Sequence, residues 1–168
     1  MTIEEFNRLD ESAAASALAA CVEIDGWVNE VLAGRPYQSR DGLLTHAAKA
    51  AEGWSPAQVD GALAHHPRIG ERPRAETIGA ANAAHSAGEQ AGVNGAATAT
   101  REALASGNAA YEKRFGRVFL IRAAGRSADD MLAALTERMA NDDATEIAVV
   151  ARELREIALL RLGQTVTG

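Results

Sequence analysis

Residues 65–71 hold the side chains best suited to proton transfer, and they read His-His-Pro-Arg-Ile-Gly-Glu. Because helical geometry is disfavoured before a proline, we predict that His66 lies at the very end of a helix. The negative end of the helix dipole favours a cationic imidazole there, which suits proton transfer near neutral pH. A histidine that only caps helix carbonyls is the alternative, and the spacing supports both interpretations equally.

A second polar cluster occupies residues 85–90, which read His-Ser-Ala-Gly-Glu-Gln. Ser86, Glu89 and Gln90 fall at positions i, i+3 and i+4, so one helical face would carry a hydroxyl, a carboxylate and an amide. Such a face is able to bind a polar heterocycle. The simpler alternative, which the spacing alone favours, is that Ser86 caps a helix with Glu89 as its capping-box partner.

Metal and covalent chemistry find little support in the sequence. On a helix His65 and His66 would point about 100° apart, so they are poorly placed to share one ion. His46, His65 and His85 show no paired-ligand spacing and are predicted to lie at the surface or the edge of the core. There is no Gly-X-Ser-X-Gly motif, and the single cysteine, Cys21, lies in an Ala-rich stretch typical of buried core. We predict no metal site and no covalent nucleophile.

Helix signals recur along most of the chain. Capping boxes are predicted at Thr2 and Ser55, and helix starts at Ser39, Ser127 and either Asp143 or Thr145. Residues 96–115 are predicted to form a further, Ala-rich helix. The last helix, from about residue 143, is predicted to end at Gly163 as its C-cap.

Two segments interrupt this pattern, residues 67–73 with two prolines and a glycine, and the apolar residues 117–126. Only residues 118–121 resemble a strand, and they are too few to imply a sheet. Irregular backbone inside a helical scaffold exposes N–H and C=O groups, so both segments are candidates to line a site. The expected fold is all-α, one domain over residues 1–168 with roughly six to ten helices of uneven length.

Composition narrows the class of protein. Hydrophobic residues make up 47% of the 168 residues and aromatic residues only 4%, so a folded core built from aliphatic side chains is expected. The net charge of −6 argues against nucleic acid as a partner. The apolar residues 13–22 are too few to span a membrane, and the acidic residues before them do not fit a signal peptide. We therefore expect no membrane partner and a cytoplasmic location.

Both clusters, in this order, closely resemble the signature of the 2-oxo-4-hydroxy-4-carboxy-5-ureidoimidazoline (OHCU) decarboxylases. The resemblance extends from about residue 2 to residue 163. Its further motifs are Tyr-Glu-Lys-Arg-Phe-Gly at 111–116, Phe-Leu-Ile-Arg-Ala-Ala-Gly-Arg-Ser at 119–127, Glu137-Arg138 with Asn141, and Glu-Ile-Ala-Leu-Leu-Arg-Leu at 156–162. Arg117 and Val118 depart from the family, many of whose members carry a bulkier aromatic residue or a proline there.

The resemblance implies an all-helical, usually dimeric enzyme of urate degradation that uses no metal or organic cofactor and forms S-allantoin. It implies His66 and Glu89 as catalytic residues. It also implies that the substrate is bound by Pro67, Ser86, Gln90, Arg161 and the backbone of Phe119, Leu120 and Ile121. Two other hypotheses stay open: an interaction module that kept the fold without the chemistry, and a helical lyase or hydrolase that acts on another ureido compound.

Overall fold

In the computed structural model of the protein, the described residues are 1–64, 66–70, 84–85, 88–89 and 96–167. They form eight α-helices and one 3₁₀ turn, and none of them lies in a strand. The all-α prediction is confirmed. The helices are α1 (Ile3–Arg8), α2 (Glu11–Ala19), α3 (Asp25–Ala33), α4 (Arg40–Ala50), α5 (Pro56–Leu63), α6 (Thr98–Phe115), α7 (Ala128–Arg138) and α8 (Asp143–Thr165), with the 3₁₀ turn at Ala51–Gly53.

Short polar side chains begin most of these helices, as predicted. The Thr2 hydroxyl accepts from the Glu5 N–H at 3.2 Å, and the Glu5 carboxylate accepts from the Thr2 N–H at 2.8 Å. The same reciprocal pattern joins Ser55 to its partner three residues later, and Ser127 likewise. Each pattern satisfies two backbone N–H groups that a helix start leaves without an intrahelical acceptor.

The last helix begins at Asp143, one of its two predicted starts, but departs from the sequence prediction at its C-terminal end. Its first turn is capped by Asp142, whose carboxylate accepts from the Thr145 N–H at 2.7 Å. Gly163 does not end the helix, which continues to Thr165. A Cβ at Gly163 would lie 2.8 Å from an Arg40 guanidinium nitrogen, and that guanidinium donates to the Gly163 carbonyl at 3.0 Å. The glycine therefore permits a close tertiary approach that local sequence does not reveal.

The chain divides into two compact units, Met1–Ala62 with Leu154–Gly168, and Leu63–Glu153. In the first unit the largest fully buried side chains include Phe6, Leu18 and Trp27. In the second, α6 packs against α7 over a core cluster that holds Ile69, Leu104, Tyr111, Phe115, Phe119, Ile121, Met131 and Leu135 among its members. The single domain expected from the sequence stays a prediction. In the described part of the chain, no helix combines the length and apolar character needed to cross a membrane.

Candidate active site

His66 lies just beyond the end of α5, in the unit Leu63–Glu153. Its backbone N–H donates to the carbonyl of Leu63, the last residue of the helix, at 3.0 Å, and Pro67 follows directly. His66 and Pro67 are both half-buried, and the Nε2 atom of the imidazole is buried. A histidine so placed is shielded from bulk water, which favours specific proton transfer over exchange with solvent.

The loop of residues 66–70 is attached to α6 at two points. The Asn108 side chain donates from Nδ2 to the Ile69 carbonyl at 3.0 Å. The Arg68 guanidinium forms a two-pronged pair with Glu112, at 2.5 Å and 3.0 Å. Ile69 is 7% exposed and packs into the core cluster of this unit. A cavity of about 320 Å³ lies between the loop and α6, and its lining includes Arg68, Gly70, Arg101, Leu104 and Asn108.

The second predicted segment, residues 119–121, follows the end of α6, where Gly116 adopts a left-handed φ of 69°. The side chains of Phe119, Leu120 and Ile121 are all buried. The Leu120 carbonyl accepts from Arg138 Nη1 at 2.7 Å, and the backbone N–H of Arg122 donates to Glu153 Oε2 at 2.8 Å. Charged side chains thus hold the backbone of this segment at Leu120 and again at Arg122.

A buried polar cluster, which we call the Arg138 cluster, consists of Tyr111, Arg138, Asn141 and Glu146. Arg138 donates to Glu146 Oε1 from Nε at 2.9 Å and from Nη2 at 2.5 Å, and the Tyr111 hydroxyl donates to the same oxygen. Asn141 Nδ2 donates to Glu146 Oε2 at 2.7 Å. Glu146 is 0% exposed. Burial, together with the hydrogen bond to Glu146, raises the pKa of Tyr111 above its ordinary value.

Sequence reasoning missed this cluster, although a signal was present. Of the apolar residues on α8, Val150 and Leu154 are fully buried, whereas Ile147 is only half-buried. Glu146 and Glu153 lie two helical turns apart on the buried face of the same helix. Acidic residues on an otherwise apolar helix face are seldom fully buried without a cationic or hydrogen-bonding partner.

The remaining predicted site residues divide into three groups. Glu89 is half-buried in helical backbone at residues 88–89. Ser86 and Gln90 lie outside the described residues, so neither the predicted binding face nor its capping alternative is tested. Arg161 is 1% exposed and lies in the part of α8 that belongs to the unit Met1–Ala62 with Leu154–Gly168. Its convergence with His66 on one substrate stays a prediction.

The structure brings the two irregular segments together through one residue of the first and two of the second. Ile69, from the loop of residues 66–70, which we call the histidine loop, shares one core cluster with Phe119 and Ile121. Of the other histidines, His46 lies at the edge of a core, where Nδ1 is 2.8 Å from the Tyr37 hydroxyl and Nε2 is 3.4 Å from Glu30. His65 is outside the described residues. Among the described residues, no group of three or more His, Cys, Asp or Glu side chains is arranged to hold a metal ion.

The fold is all-helical, and the unit Leu63–Glu153 holds both a half-buried histidine beyond a helix end and a buried irregular segment. The family model for OHCU decarboxylase matches residues 7–163. The chain belongs to the OHCU decarboxylase family and is a carboxy-lyase of urate degradation. The family resemblance seen in the sequence is thereby confirmed.

Two relatives illustrate the similarity. The chain is 29% identical over 165 residues to the 2-oxo-4-hydroxy-4-carboxy-5-ureidoimidazoline decarboxylase of Haloferax volcanii, covering 98% of this chain and 95% of that protein. It is 38% identical over 105 residues to the uric acid degradation bifunctional protein TTL of Arabidopsis thaliana, covering 61% of this chain and 32% of that protein. The similarity to the bifunctional protein thus concerns about a third of that protein's length.

Two solved structures share the fold. An OHCU decarboxylase crystallised in the presence of (S)-allantoin superposes with a TM-score of 0.73 at 23% identity, covering 88% of this chain and 95% of that one. An (S)-allantoin synthase superposes with a TM-score of 0.71 at 18% identity, covering 99% of this chain and 54% of that one. At these identities the superpositions establish the helical fold.

Proposed function

We propose that this protein decarboxylates OHCU to S-allantoin, with His66 as the proton-transfer residue and with protonation on one face of the ring. The match of the family model over residues 7–163 carries this proposal, because it spans both polar clusters and the segment at 119–121. The shielded position of His66 and the anchored backbone of that segment support it further.

The substrate has a hydroxyl and a carboxylate on ring carbon 4, beside a C=N bond at carbon 5. When the bond from carbon 4 to the carboxylate breaks, CO₂ leaves and its electron pair forms a C4=C5 double bond while the ring nitrogen takes up a proton. The enol then loses its O–H proton and carbon 5 gains one, which gives allantoin. The net reaction consumes one proton. Because the C=N bond accepts the electron pair, the chemistry requires no organic cofactor as an electron sink.

We assign His66 to accept the proton of the carbon 4 hydroxyl, since an imidazole near neutral pH both takes and returns protons. Glu89 orients the imidazole or the substrate hydroxyl, and its charge favours the imidazolium. Arg161 binds an oxygen of the substrate through its planar fork of donors. Pro67, Ser86, Gln90 and the backbone of residues 119–121 contact the rest of the ring and the ureido group. The enzyme acts on this small molecule as a cytoplasmic homodimer without a bound metal or cofactor.

The test generates the substrate in situ from urate with a urate oxidase and the following hydrolase, and records circular dichroism and ultraviolet absorbance. We expect rapid appearance of optically active allantoin with this protein, and slow, racemic allantoin without it. His66→Ala should abolish most of the acceleration, since general acid–base catalysis typically contributes about 10²- to 10⁴-fold. Turnover by His66→Ala close to that of the wild type would contradict the assignment of His66.

His46→Ala provides the matched control. It removes an imidazole of the same chemistry whose contacts are with Tyr37 and Glu30, away from either polar cluster in the sequence. It should retain turnover even if it unfolds more easily. A wild-type protein that leaves allantoin formation slow and racemic would instead support the interaction-module hypothesis.

A further inference from the structure

The segment at residues 119–122 is fixed from both ends by buried charges. Arg138 donates to the Leu120 carbonyl at 2.7 Å, and Glu153 accepts from the Arg122 N–H at 2.8 Å. Arg138 also lies over the Phe119 ring, with its guanidinium carbon 4.6 Å from the ring centroid. The Tyr111 ring meets the same ring edge-on at 5.2 Å. Phe119, Leu120 and Arg122 are therefore each held by a separate contact.

This arrangement sets the direction of the Ile121 backbone. A trans peptide is planar, so its C=O and N–H groups point in opposite directions. Since the Leu120 carbonyl points to Arg138, the Ile121 N–H points away from Arg138. Since the Arg122 N–H points to Glu153, the Ile121 carbonyl points away from Glu153. One residue thus presents a donor and an acceptor away from the buried charges, which matches the amide and ureido groups of the proposed substrate.

Glu146 determines which way the guanidinium faces. Arg138 uses Nε and Nη2 on Glu146 Oε1, and the planar fork then leaves Nη1 directed at the Leu120 carbonyl. A buried ion pair is weak as a source of stability, because the loss of hydration offsets much of the attraction. The Arg138–Glu146 pair does, however, supply a rigidly held donor for a backbone carbonyl, which an apolar replacement cannot supply.

We propose that Arg138 is a positioning residue for catalysis: held by Glu146, it fixes the Leu120 carbonyl and thereby orients the Ile121 backbone toward the substrate. This inference rests on the proposed function, because it assigns a task to the same site. Arg138 itself does not touch the reacting atoms in this scheme.

The experiment separates positioning from stability with three variants, Arg138→Lys, Arg138→Met and the triple variant Y111F/R138M/E146L. Arg138→Met leaves Glu146 buried without its cation and should be strongly destabilised. The triple variant removes both charges and the Tyr111 hydroxyl while it keeps a ring against Phe119, so it should recover much of the stability. Both lack the donor to Leu120. We therefore expect kcat/KM to fall on the order of 100-fold in both variants.

The loss should appear mainly in KM, because contacts to amide groups are made in the ground state and in the transition state alike. Arg138→Lys keeps the charge but not the fork, so it should remain the most stable of the three and still show a raised KM. Leu18→Ala, in a helix that supplies no proposed site residue, is the control and should lower stability with KM unchanged.

Recovery of wild-type kcat/KM in the triple variant, or an unchanged KM in Arg138→Lys, would overturn the positioning role. Either result would leave the proposed function intact, since that function fails only if the wild-type protein does not accelerate the formation of S-allantoin. Rates are normalised to the concentration of folded protein, measured by circular dichroism, so that partial unfolding is not mistaken for lower activity.

Discussion

The two irregular segments of the candidate site are both anchored by an arginine–carboxylate pair, but the two pairs differ sharply in burial. In each pair the shortest nitrogen–oxygen distance is 2.5 Å. The side chains of Arg138 and Glu146, behind residues 119–122, are 9% and 0% exposed. Those of Arg68 and Glu112, at the histidine loop, are 45% and 27% exposed. The same shortest distance thus occurs in two dielectric environments, so the two ion pairs contribute differently to stability.

This difference in burial indicates that the two segments of the candidate site differ in rigidity. Residues 119–122 are held by groups that the solvent scarcely reaches, so they form a rigid segment of the candidate site, which we call the platform. The loop at 66–70 is held by Asn108, by the packing of Ile69 and by a partly exposed ion pair. We expect this loop, which carries the proposed proton-transfer residue His66, to open locally at a lower free energy than the platform does.

The largest effect should come from breaking the buried pair. Glu146→Ala leaves the Arg138 guanidinium buried without its counter-charge, and we expect the free energy of unfolding to fall by about 3–5 kcal/mol. Urea unfolding followed by circular dichroism measures it. Glu112→Ala is the matched control in the partly exposed pair and should cost less than about 1 kcal/mol. Equal losses in the two variants would contradict the contrast between the two segments.

The next effect concerns the hydrogen bond that holds the histidine loop. Asn108 is 4% exposed and donates to the Ile69 carbonyl, so Asn108→Ala leaves that buried carbonyl without its donor. We expect a loss of about 1–3 kcal/mol in unfolding free energy. No described residue donates to the Asn108 Oδ1 atom, so the variant loses no second bond among these residues. Hydrogen exchange at Ile69 and Gly70 should quicken, while exchange at Leu120 should not.

Several features of the fold follow directly from local sequence. The helix starts at Thr2, Ser55 and Ser127 were predictable because a capping box is complete within four residues. The irregular backbone at 119–121 was predictable because the preceding helix is followed by a glycine and the next one is capped by Ser127. In these places the short-range interactions decide the conformation.

Other features depend on residues far apart in the chain. Gly163 was wrongly predicted as a C-cap because its actual neighbour, Arg40, comes from a different helix. The contact of Arg138 with Glu146 and Leu120 is likewise tertiary, although the position of Glu146 on a buried helix face was a usable signal. His66 was identifiable from its proline, but its anchoring by Asn108 through Ile69 was not.

Alkaline pH offers a third test, because it acts on the Tyr111 hydroxyl of the Arg138 cluster. The pKa of Tyr111 is raised by burial first and by its hydrogen bond to Glu146 second, while Arg138 opposes the shift. The folded protein therefore holds this proton to higher pH than the unfolded chain, whose tyrosine pKa is about 10. The stabilising contribution is complete below that pH and is lost above it, at about 1.4 kcal/mol per pH unit.

Tyr111→Phe should accordingly make stability decline less steeply between pH 10 and 11, as measured by urea midpoints at each pH. Tyr37→Phe is the comparison in the other unit, where burial and then the charge of Glu30 raise the pKa of Tyr37 to about 12. The stability that Tyr37→Phe gains relative to the wild type should level off once the pH reaches about 12. A Tyr111→Phe variant whose stability falls in parallel with the wild type would show that Tyr111 ionises as readily in the folded state as in the unfolded chain.

The smallest effect should come from the partly exposed pair at the histidine loop. Arg68→Met keeps most of the apolar stem that lines the cavity and removes only the charge, so we expect a loss of about 0–1 kcal/mol. Salt provides the decisive control, since at about 1 M ionic strength the screening length is only about 3 Å. The difference between Arg68→Met and the wild type should vanish there, whereas the deficit of Glu146→Ala should persist. If salt leaves the loss of unfolding free energy in Arg68→Met unchanged, the Arg68 pair contributes to stability as a buried contact does. The proposed contrast between a rigid platform and an adaptable histidine loop would then fail.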